Sequence, residues 1–291
     1  MKSLRTLLSS GCLPVPGVYD CVSAKLAEAA GFEALELSGS SVSAATLGLP
    51  DLGFLNLSDI TKVAERVVAS VSVPVICDAD TGYGGVNQVW ETVRRLEHAG
   101  VAAIHIEDQE SPKKCGCMAG RPVVSESEMV TKIQSAVAAR QSDDFFIIGR
   151  TDAKETEGMS GVLRRLGAYV AAGADVVYAA EEYSADEMRT LAGDIKGCLA
   201  VSGDTPTSVT DFTPPEKYAQ WGVGMVIYWF SSLYSAAKGM RDFHEQMVRD
   251  NGIAAAVASQ SLMNFSDFQT LMDLDTWEGR ERSRSVNRCI S

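Results

Sequence analysis

The chain lacks a basic excess. Its 26 lysines and arginines stand against 38 aspartates and glutamates, a formal net charge of −12, and no Lys/Arg-rich run is there to neutralise a phosphate backbone. Nucleic acid is not an expected partner. A long apolar run is missing too: after the faintly signal-like Met1-Lys2-Ser3-Leu4-Arg5, the chain is broken by Ser9, Ser10, Gly11, Pro14 and Pro16. Neither a signal peptide nor a membrane span is expected. Nor is there a disulfide framework. Cys12, Cys21, Cys77, Cys115, Cys117, Cys198 and Cys289 form an odd set without scaffold spacing, which fits a reducing compartment and a cytoplasmic protein. With no G-x-G-x-x-G after a strand, no dinucleotide site is expected either.

What remains is 291 residues, 46% of them hydrophobic, enough to bury a core and too apolar for disorder. Acidity does not exclude a small anionic substrate, because a bound cation and a few local basic side chains can invert the potential inside one pocket. One pattern repeats along most of the chain: a short apolar run, a polar turn, an amphipathic stretch of roughly 10 to 15 residues, then glycine. The runs are Gly17–Tyr19, Ala34–Leu37, Val73–Cys77, Ala102–Ile106, Phe145–Ile148, Asp175–Tyr178, Cys198–Val201 and Gly224–Tyr228. Eight runs predict a closed (β/α)8 TIM-type barrel over residues 1–240. Gly31, Gly100, Gly173 and Gly222 each precede a run, as helix C-caps do.

Polar residues cluster just after the runs: Ser38-Gly39-Ser40, Asp78 and Asp80, Glu107 and Asp108, Arg150 and Asp152, Glu181 and Glu182, Ser202 and Asp204. In a barrel these strand ends share one rim, where the active site sits. Residues 241–291 read as a C-terminal helical extension. Its segment 261–274 carries Leu262, Met263, Phe265, Phe268, Leu271 and Met272, which predicts packing on the barrel or, more strongly, contact between subunits of a homo-oligomer. Arg280, Arg282, Arg284 and Arg288 read as a solvated or disordered end.

Asp78-Ala79-Asp80-Thr81-Gly82-Tyr83-Gly84-Gly85 follows the third run, and alternation puts both aspartates on one side of the chain. Counted from Asp78, position six is Tyr83 and position twelve Val89, so this is no EF-hand. Two carboxylates, with Glu107 at equivalent depth, suit Mg2+ held partly through water, Mn2+ being an alternative. The competing reading is that the aspartates merely cap the next helix. His105 reads as a core histidine rather than a base, and Asp108 as an acid bonded to backbone amides. The loop from Ser111 to Arg121 is basic against the chain's trend and carries two thiols, whose pKa its cations would lower. Zinc would need a second Cys/His pair, which is absent, and a dithiol oxidoreductase would normally place two residues between its cysteines.

Leu37-Ser38-Gly39-Ser40, Leu47-Gly48-Leu49-Pro50-Asp51, Asp78-Ala79-Asp80-Thr81-Gly82-Tyr83-Gly84, Ile106-Glu107-Asp108-Gln109, Lys113-Lys114-Cys115-Gly116 and Gly149-Arg150-Thr151-Asp152-Ala153 together resemble the isocitrate lyase/phosphoenolpyruvate mutase superfamily. Within it the chain is most similar to the short branch of 2-methylisocitrate lyases, dimethylmalate lyases, oxaloacetate hydrolases and carboxyphosphonoenolpyruvate mutases. The resemblance spans about residues 10 to 240. It implies a barrel whose eighth helix is exchanged between subunits, usually a tetramer, with Mg2+ in the mouth. Carried over, Asp78, Asp80 and Glu107 would hold the metal, with Asp51 organising its waters. Ser38, Gly39 and Ser40 would hold a substrate carboxylate, and Arg150 would pair the acid group of an α-keto or α-hydroxy acid. Lys113, Cys115 and Gly116 would lie on a mobile gating loop, with Cys115 exchanging a proton with the departing carbon fragment.

The chain departs from that pattern around one half of the pocket. Cys117 stands where the lyases usually have histidine. The glutamate after strand six falls near Ala180 or, with a slip of one, on Glu181, and an asparagine after strand seven becomes Ser202. Tyr-Pro-Leu-Ser becomes Tyr228-Trp229-Phe230-Ser231, so Trp229 adds bulk if it faces inward. Cys117, Glu181, Ser202 and Trp229 are the expected contacts to the second fragment. The resemblance implies a Mg2+-dependent carbon–carbon lyase of a 2-hydroxy or 2-keto di- or tricarboxylic acid, working through an enolate. An oxaloacetate-type hydrolase or a carboxyphosphonoenolpyruvate-like mutase is the alternative, and a non-catalytic metabolite-binding descendant is a third reading.

Overall fold

A computed structural model describes residues 2–204, 213–254, 257 and 262–288, the side chains of 281 and 283–288 excepted. Eight parallel strands close into a barrel in chain order: β1 Leu13–Val18, β2 Leu35–Leu37, β3 Val75–Asp78, β4 Ala103–Glu107, β5 Phe146–Thr151, β6 Val176–Ala179, β7 Cys198–Ser202 and β8 Met225–Tyr228. The TIM-type α/β fold is the one the alternating pattern predicts. Helices between the strands cover the outside, and Gly31, Gly100, Gly173 and Gly222 all take positive φ at the helix exits. Among the described residues, no helix is long and apolar enough to cross a membrane.

Side chains two apart along a strand share a face, and this alternation builds the interior in levels. Leu13, Val15, Ala34, Ile76, Ala103, Phe146, Ile148, Val176, Ala200 and Met225 form an apolar inner cluster. Leu4 and Leu7, from the short helix Leu4–Leu8, join it. The residues between them, such as Leu35, Val75, Cys77, Ile104, Ile147 and Val177, belong to the layer under the helices. Continuing each inward series toward the C-terminal strand ends replaces apolar groups by polar ones. Ala34 leads to Glu36 and Ser38, Ile76 to Asp78, Ala103 to His105 and Glu107, and Ile148 to Arg150 and Asp152.

The first strand starts at Leu13, earlier than the expected run Gly17–Tyr19, and it includes Pro14 and Pro16. Proline removes a ladder donor, but here none is needed. The Leu13 N–H donates to Gly224 on the β8 side (3.0 Å), so alternation turns the proline nitrogens toward β2. Pairing with β2 begins only at Gly17. Gly17 itself has no room for a side chain, because a Cβ there would lie 2.5 Å from the Trp229 carbonyl oxygen. Gly17→Ala should therefore cost about 1–3 kcal/mol of stability through overpacking and displace the Trp229 backbone. Urea denaturation checks this, and an unchanged midpoint would contradict it.

The chain divides into compact units Met1–Leu233 and Tyr234–Ser291, the boundary falling inside the helix Ser231–Arg249. In the second unit Asn264 caps the helix Phe265–Leu271 by accepting from the Asp267 N–H (2.8 Å). Leu262, Met263, Phe265, Phe268 and Trp277 are exposed. The arginine-rich end, expected to be solvated or disordered, is helical over Leu274–Arg288. The Glu278–Arg282 pair one turn apart (3.3 Å) and Arg280 over the Trp277 ring (4.7 Å) favour the helical state. Ser261 and Cys289 lie outside the described residues, as do the side chains of Arg284 and Arg288.

Candidate active site

The C-terminal strand ends surround a cavity of about 380 Å3, counted out to its open mouth, lined by residues from five strand ends and two loops. Glu36, Ser38 and Ser40 come from β2 and the turn after it, Asp78 from β3, Arg150 from β5, and Tyr178 and Ala180 from β6. Trp229 follows β8, while Asp51, Lys113, Cys115 and Gly116 arrive on loops. Asp80 and Glu107 are buried beside this wall.

Two cations organise the acids. Lys113 Nζ lies 2.6 Å from Asp51 and 2.7 Å from Asp80. Arg150 donates through Nε and Nη2 to Asp152 (2.9 and 3.0 Å), the paired geometry a guanidinium favours, and Nη2 also lies 3.0 Å from Glu107. Glu36, Asp51, Asp78, Asp80, Glu107 and Asp152 outnumber these two cations. The backbone holds the acids with little slack. Asp80 sits at φ 47°, a left-handed conformation that aspartate tolerates better than most residues. The Gly39 N–H donates to Asp78 (3.2 Å), and a Cβ on Gly39 would approach that carboxylate to 2.7 Å. Burial pushes Asp78 up, but His105, Lys113 and Arg150 outweigh it and hold the group at about 2. Burial lifts Asp80 to about 6 against the pull of Lys113, and it pushes Glu107 well above the usual carboxylate range.

Among the described residues neither carboxylate oxygen of Glu107 accepts a well-aligned hydrogen bond, although Arg150 lies 3.0 Å away, and the acids here outnumber the nearby cations. Hard oxygen ligands with unspent negative charge fit a divalent cation such as Mg2+. His105, read in sequence as a core histidine, is buried between two acids, with Nε2 3.2 Å from Glu36 and Nδ1 3.4 Å from Asp78. Glu36, Asp78 and His105 place ligand atoms close enough to hold an ion themselves. The all-oxygen group at the rim suits Mg2+ better than a set containing imidazole. Asp108 faces away, accepting from Thr151, the Asp152 N–H and Tyr169.

The loop after β4 crosses the mouth. The Cys115 N–H donates to the Asp51 carbonyl (3.0 Å), and the Gln109 side chain bonds both backbone groups of Lys114 (2.9 Å each). Arg121 ties the far end to Glu181. A hydrogen bond from the Cys117 thiol, opposed by burial and helped by Lys113, lowers Cys115 to about 7. Gly116 packs so close that a Cβ would lie 3.0 Å from Arg150 Nη2.

Three residues expected against the second fragment do not line the cavity. Glu181 turns to Arg121 and accepts from the Lys154 N–H (2.7 Å), and burial still lifts it to about 7. Ser202 faces inward but is spent: its hydroxyl donates to the Ala180 carbonyl (2.6 Å) and lies 2.9 Å from the Tyr178 hydroxyl. Cys117 is exposed. Trp229 does face the cavity, its backbone N–H held by Asp204 (2.9 Å). Glu36 and Tyr178 are site residues the sequence reading missed. Counting by twos from Ala34 and Val176 points to both, and the same count selects Ala180 over Glu181.

Comparison with known proteins agrees with this geometry. The family model described as phosphoenolpyruvate phosphomutase matches residues 4–248. The 2,3-dimethylmalate lyase of Eubacterium barkeri is 37% identical over 286 residues, covering 98% of each chain. A crystal structure of 2,3-dimethylmalate lyase, described as a PEP mutase/isocitrate lyase superfamily member, superposes with a TM-score of 0.88 at 34% identity, over 98% of this chain and 96% of that one. Phosphonopyruvate hydrolase, solved with oxalate and Mg++, superposes with a TM-score of 0.83 at 31% identity, over 98% and 96%. By sequence along nearly its whole length, by fold and by the acids at its barrel mouth, the chain belongs to the phosphoenolpyruvate mutase/isocitrate lyase superfamily.

Proposed function

We propose that this chain is a carbon–carbon lyase that splits a 2-hydroxy or 2-keto di- or tricarboxylic acid and releases an α-keto acid such as pyruvate or glyoxylate. The observation that carries the reading is the Cys115 thiol on the wall of a cavity otherwise built of acids, Lys113 and Arg150. Cleavage beside a carboxylate leaves an enolate that must be protonated on carbon, and a thiol near neutrality is suited to that step. A hydrolase acting on oxaloacetate or a P–C mutase would use the same acids and cations. The thiol donor favours C–C cleavage over P–C rearrangement, and the 37% identity to 2,3-dimethylmalate lyase over 98% of each chain favours the lyase over the hydrolase.

Asp78, Asp80 and Glu107 would hold Mg2+, with Asp51 positioning its waters. The ion, when bound, spreads the negative charge that develops on oxygen. Arg150 and the Ser38-Gly39-Ser40 turn bind carboxylate, and a carboxylate of the cluster accepts the hydroxyl proton as the bond breaks. Cys115 delivers a proton to the second fragment, and the loop over the mouth keeps water from the enolate. Trp229, Tyr178 and Ala180 bound that fragment.

An assay for α-keto acid released from 2,3-dimethylmalate and 2-methylisocitrate, beside oxalate released from oxaloacetate and phosphate released from phosphonopyruvate, tests the reading. Product is expected with Mg2+ and is expected to vanish with EDTA; keto acid formed at full rate in EDTA would overturn the metal assignment. The pH dependence follows from the thiol. Cys115 must carry its proton to give it away, so the competent form is complete below its pKa and lost above. kcat/KM should fall as pH rises through about 7, and a flat profile from pH 6 to 9 would remove Cys115 as the proton donor. A homo-oligomer, tetrameric by resemblance, would cover the exposed Phe265 and Trp277, and light scattering reads its size.

A further inference from the structure

Cys115 and Cys117 are two residues apart on the mouth loop with only Gly116 between them, and Cys117 helps to lower the Cys115 thiol. Cys115 lines the cavity, while Cys117 is exposed to solvent. The intervening Gly116 carries no side chain to obstruct closure. Lys113 favours the Cys115 thiolate, while Arg121 and Arg150 lie near Cys117, whose thiol the Cys115 sulfur and burial push up. The mechanism uses Cys115 but gives Cys117 no task, and Cys117 does not line the cavity.

We propose that Cys115 and Cys117 form a peroxide-oxidisable pair, closing to an intra-loop disulfide that a thiol reductant reopens. The Cys115 thiolate attacks one oxygen of hydrogen peroxide, breaking the O–O bond and leaving a sulfenic acid and, after protonation, water. Cys117 sulfur then attacks the Cys115 sulfur, the S–O bond breaks, and the hydroxyl leaves as a second water. Two thiols and one peroxide become one disulfide and two waters, the two sulfurs supplying both electrons. Cys117 is thus a resolving cysteine, stopping Cys115 on the reversible part of the oxidation ladder. Cys12 and Cys198, which burial pushes to about 12 and about 11, and the buried Cys77 lack this environment. The disulfide chemistry is independent of the lyase reading; only its consequence, loss of turnover while the bond is closed, rests on the role of Cys115.

The test treats the full-length protein with hydrogen peroxide, blocks remaining thiols by alkylation and maps the digest by mass spectrometry. The expected result is a peptide joining Cys115 to Cys117 that has lost two hydrogens, and that regains two alkylatable thiols after dithiothreitol. In Cys117→Ser, and in Cys117→Ala should the first fold poorly, Cys115 should run on to sulfinic acid. Activity recovered by dithiothreitol, each protein scaled to its own untreated rate, should be at least about tenfold lower in these variants than in the wild type. Wild-type Cys115 found as sulfinic acid, joined to a different cysteine, or left reduced while a free-thiol control oxidises would overturn the proposal. The mass readout decides it whatever the enzyme proves to cleave.

Discussion

Cys115→Ser should lower kcat by about 10^2–10^4-fold, the contribution a positioned proton donor makes, with little change in KM and an unchanged denaturation midpoint. The substitution keeps the size of the side chain and the backbone bond to the Asp51 carbonyl, so the loop retains its anchor. What it removes is acidity. The thiol stands at about 7, while a serine hydroxyl holds its proton far more tightly and donates poorly to a carbon. The alkaline limb of the pH profile should disappear with the thiol. A variant that keeps a near-normal rate would take Cys115 out of the chemistry and favour the P–C mutase reading, which protonates no carbon.

Arg150→Met should be strongly destabilising. The guanidinium lies against Asp152, which is fully buried, and against Glu107, which is 1% exposed. Removing it leaves Glu107 without a cation and Asp152 with only the more distant Arg121 (3.7 Å), a loss of about 3–5 kcal/mol for a broken buried pair. Arg150→Lys restores the charge but not the fork, because a single ammonium cannot repeat the two donations to Asp152 and the contact to Glu107. The lysine variant should fall between methionine and wild type in stability and remain impaired in kcat/KM. Removing one opposing acid as well, in Arg150→Met/Glu107→Gln, should recover part of the stability of the single variant. If Arg150→Met unfolds at the wild-type urea concentration, the acids are compensated by something other than this arginine.

Much of the barrel was legible because its signals are local. Apolar runs, amphipathic stretches and glycine exits recur in order, and the polar residue that ends each run marks the rim. Asp78 and Arg150 were found this way, Lys113 and Cys115 from the basic two-thiol loop and the family resemblance, and all four line one cavity, with Asp80 and Glu107 buried against it. Glu36 and Tyr178 were overlooked although the two-residue alternation points at them, since each lies inside a run read only for its apolar content. The first strand was misplaced because proline's cost depends on which neighbour its missing N–H faces, and both neighbours, β8 near the other end of the barrel sequence and β2 beyond the helix Cys21–Ala29, are distant in sequence. Glu181 could not be separated from Ala180 without knowing that Arg121, 60 residues earlier, draws the carboxylate out of the cavity. Ser202 was rightly placed inward, but its hydroxyl is consumed by Ala180 and Tyr178, contacts between strands that no spacing along one strand reveals. The arginine-rich end was read from charge alone, without the i,i+4 pair and the Trp277 ring that favour a helix.

The central claim is that a carbon–carbon bond is broken and the second fragment is protonated on carbon. A proton NMR time course in heavy water, with Mg2+ and 2,3-dimethylmalate or 2-methylisocitrate in parallel, addresses both halves at once. The account predicts an α-keto acid together with a second acid carrying one deuterium on the carbon released by cleavage, both absent with EDTA. If these substrates stay intact while oxaloacetate is hydrolysed or the P–C bond of phosphonopyruvate is broken or rearranged, the lyase assignment is wrong and the same acids serve another member's reaction.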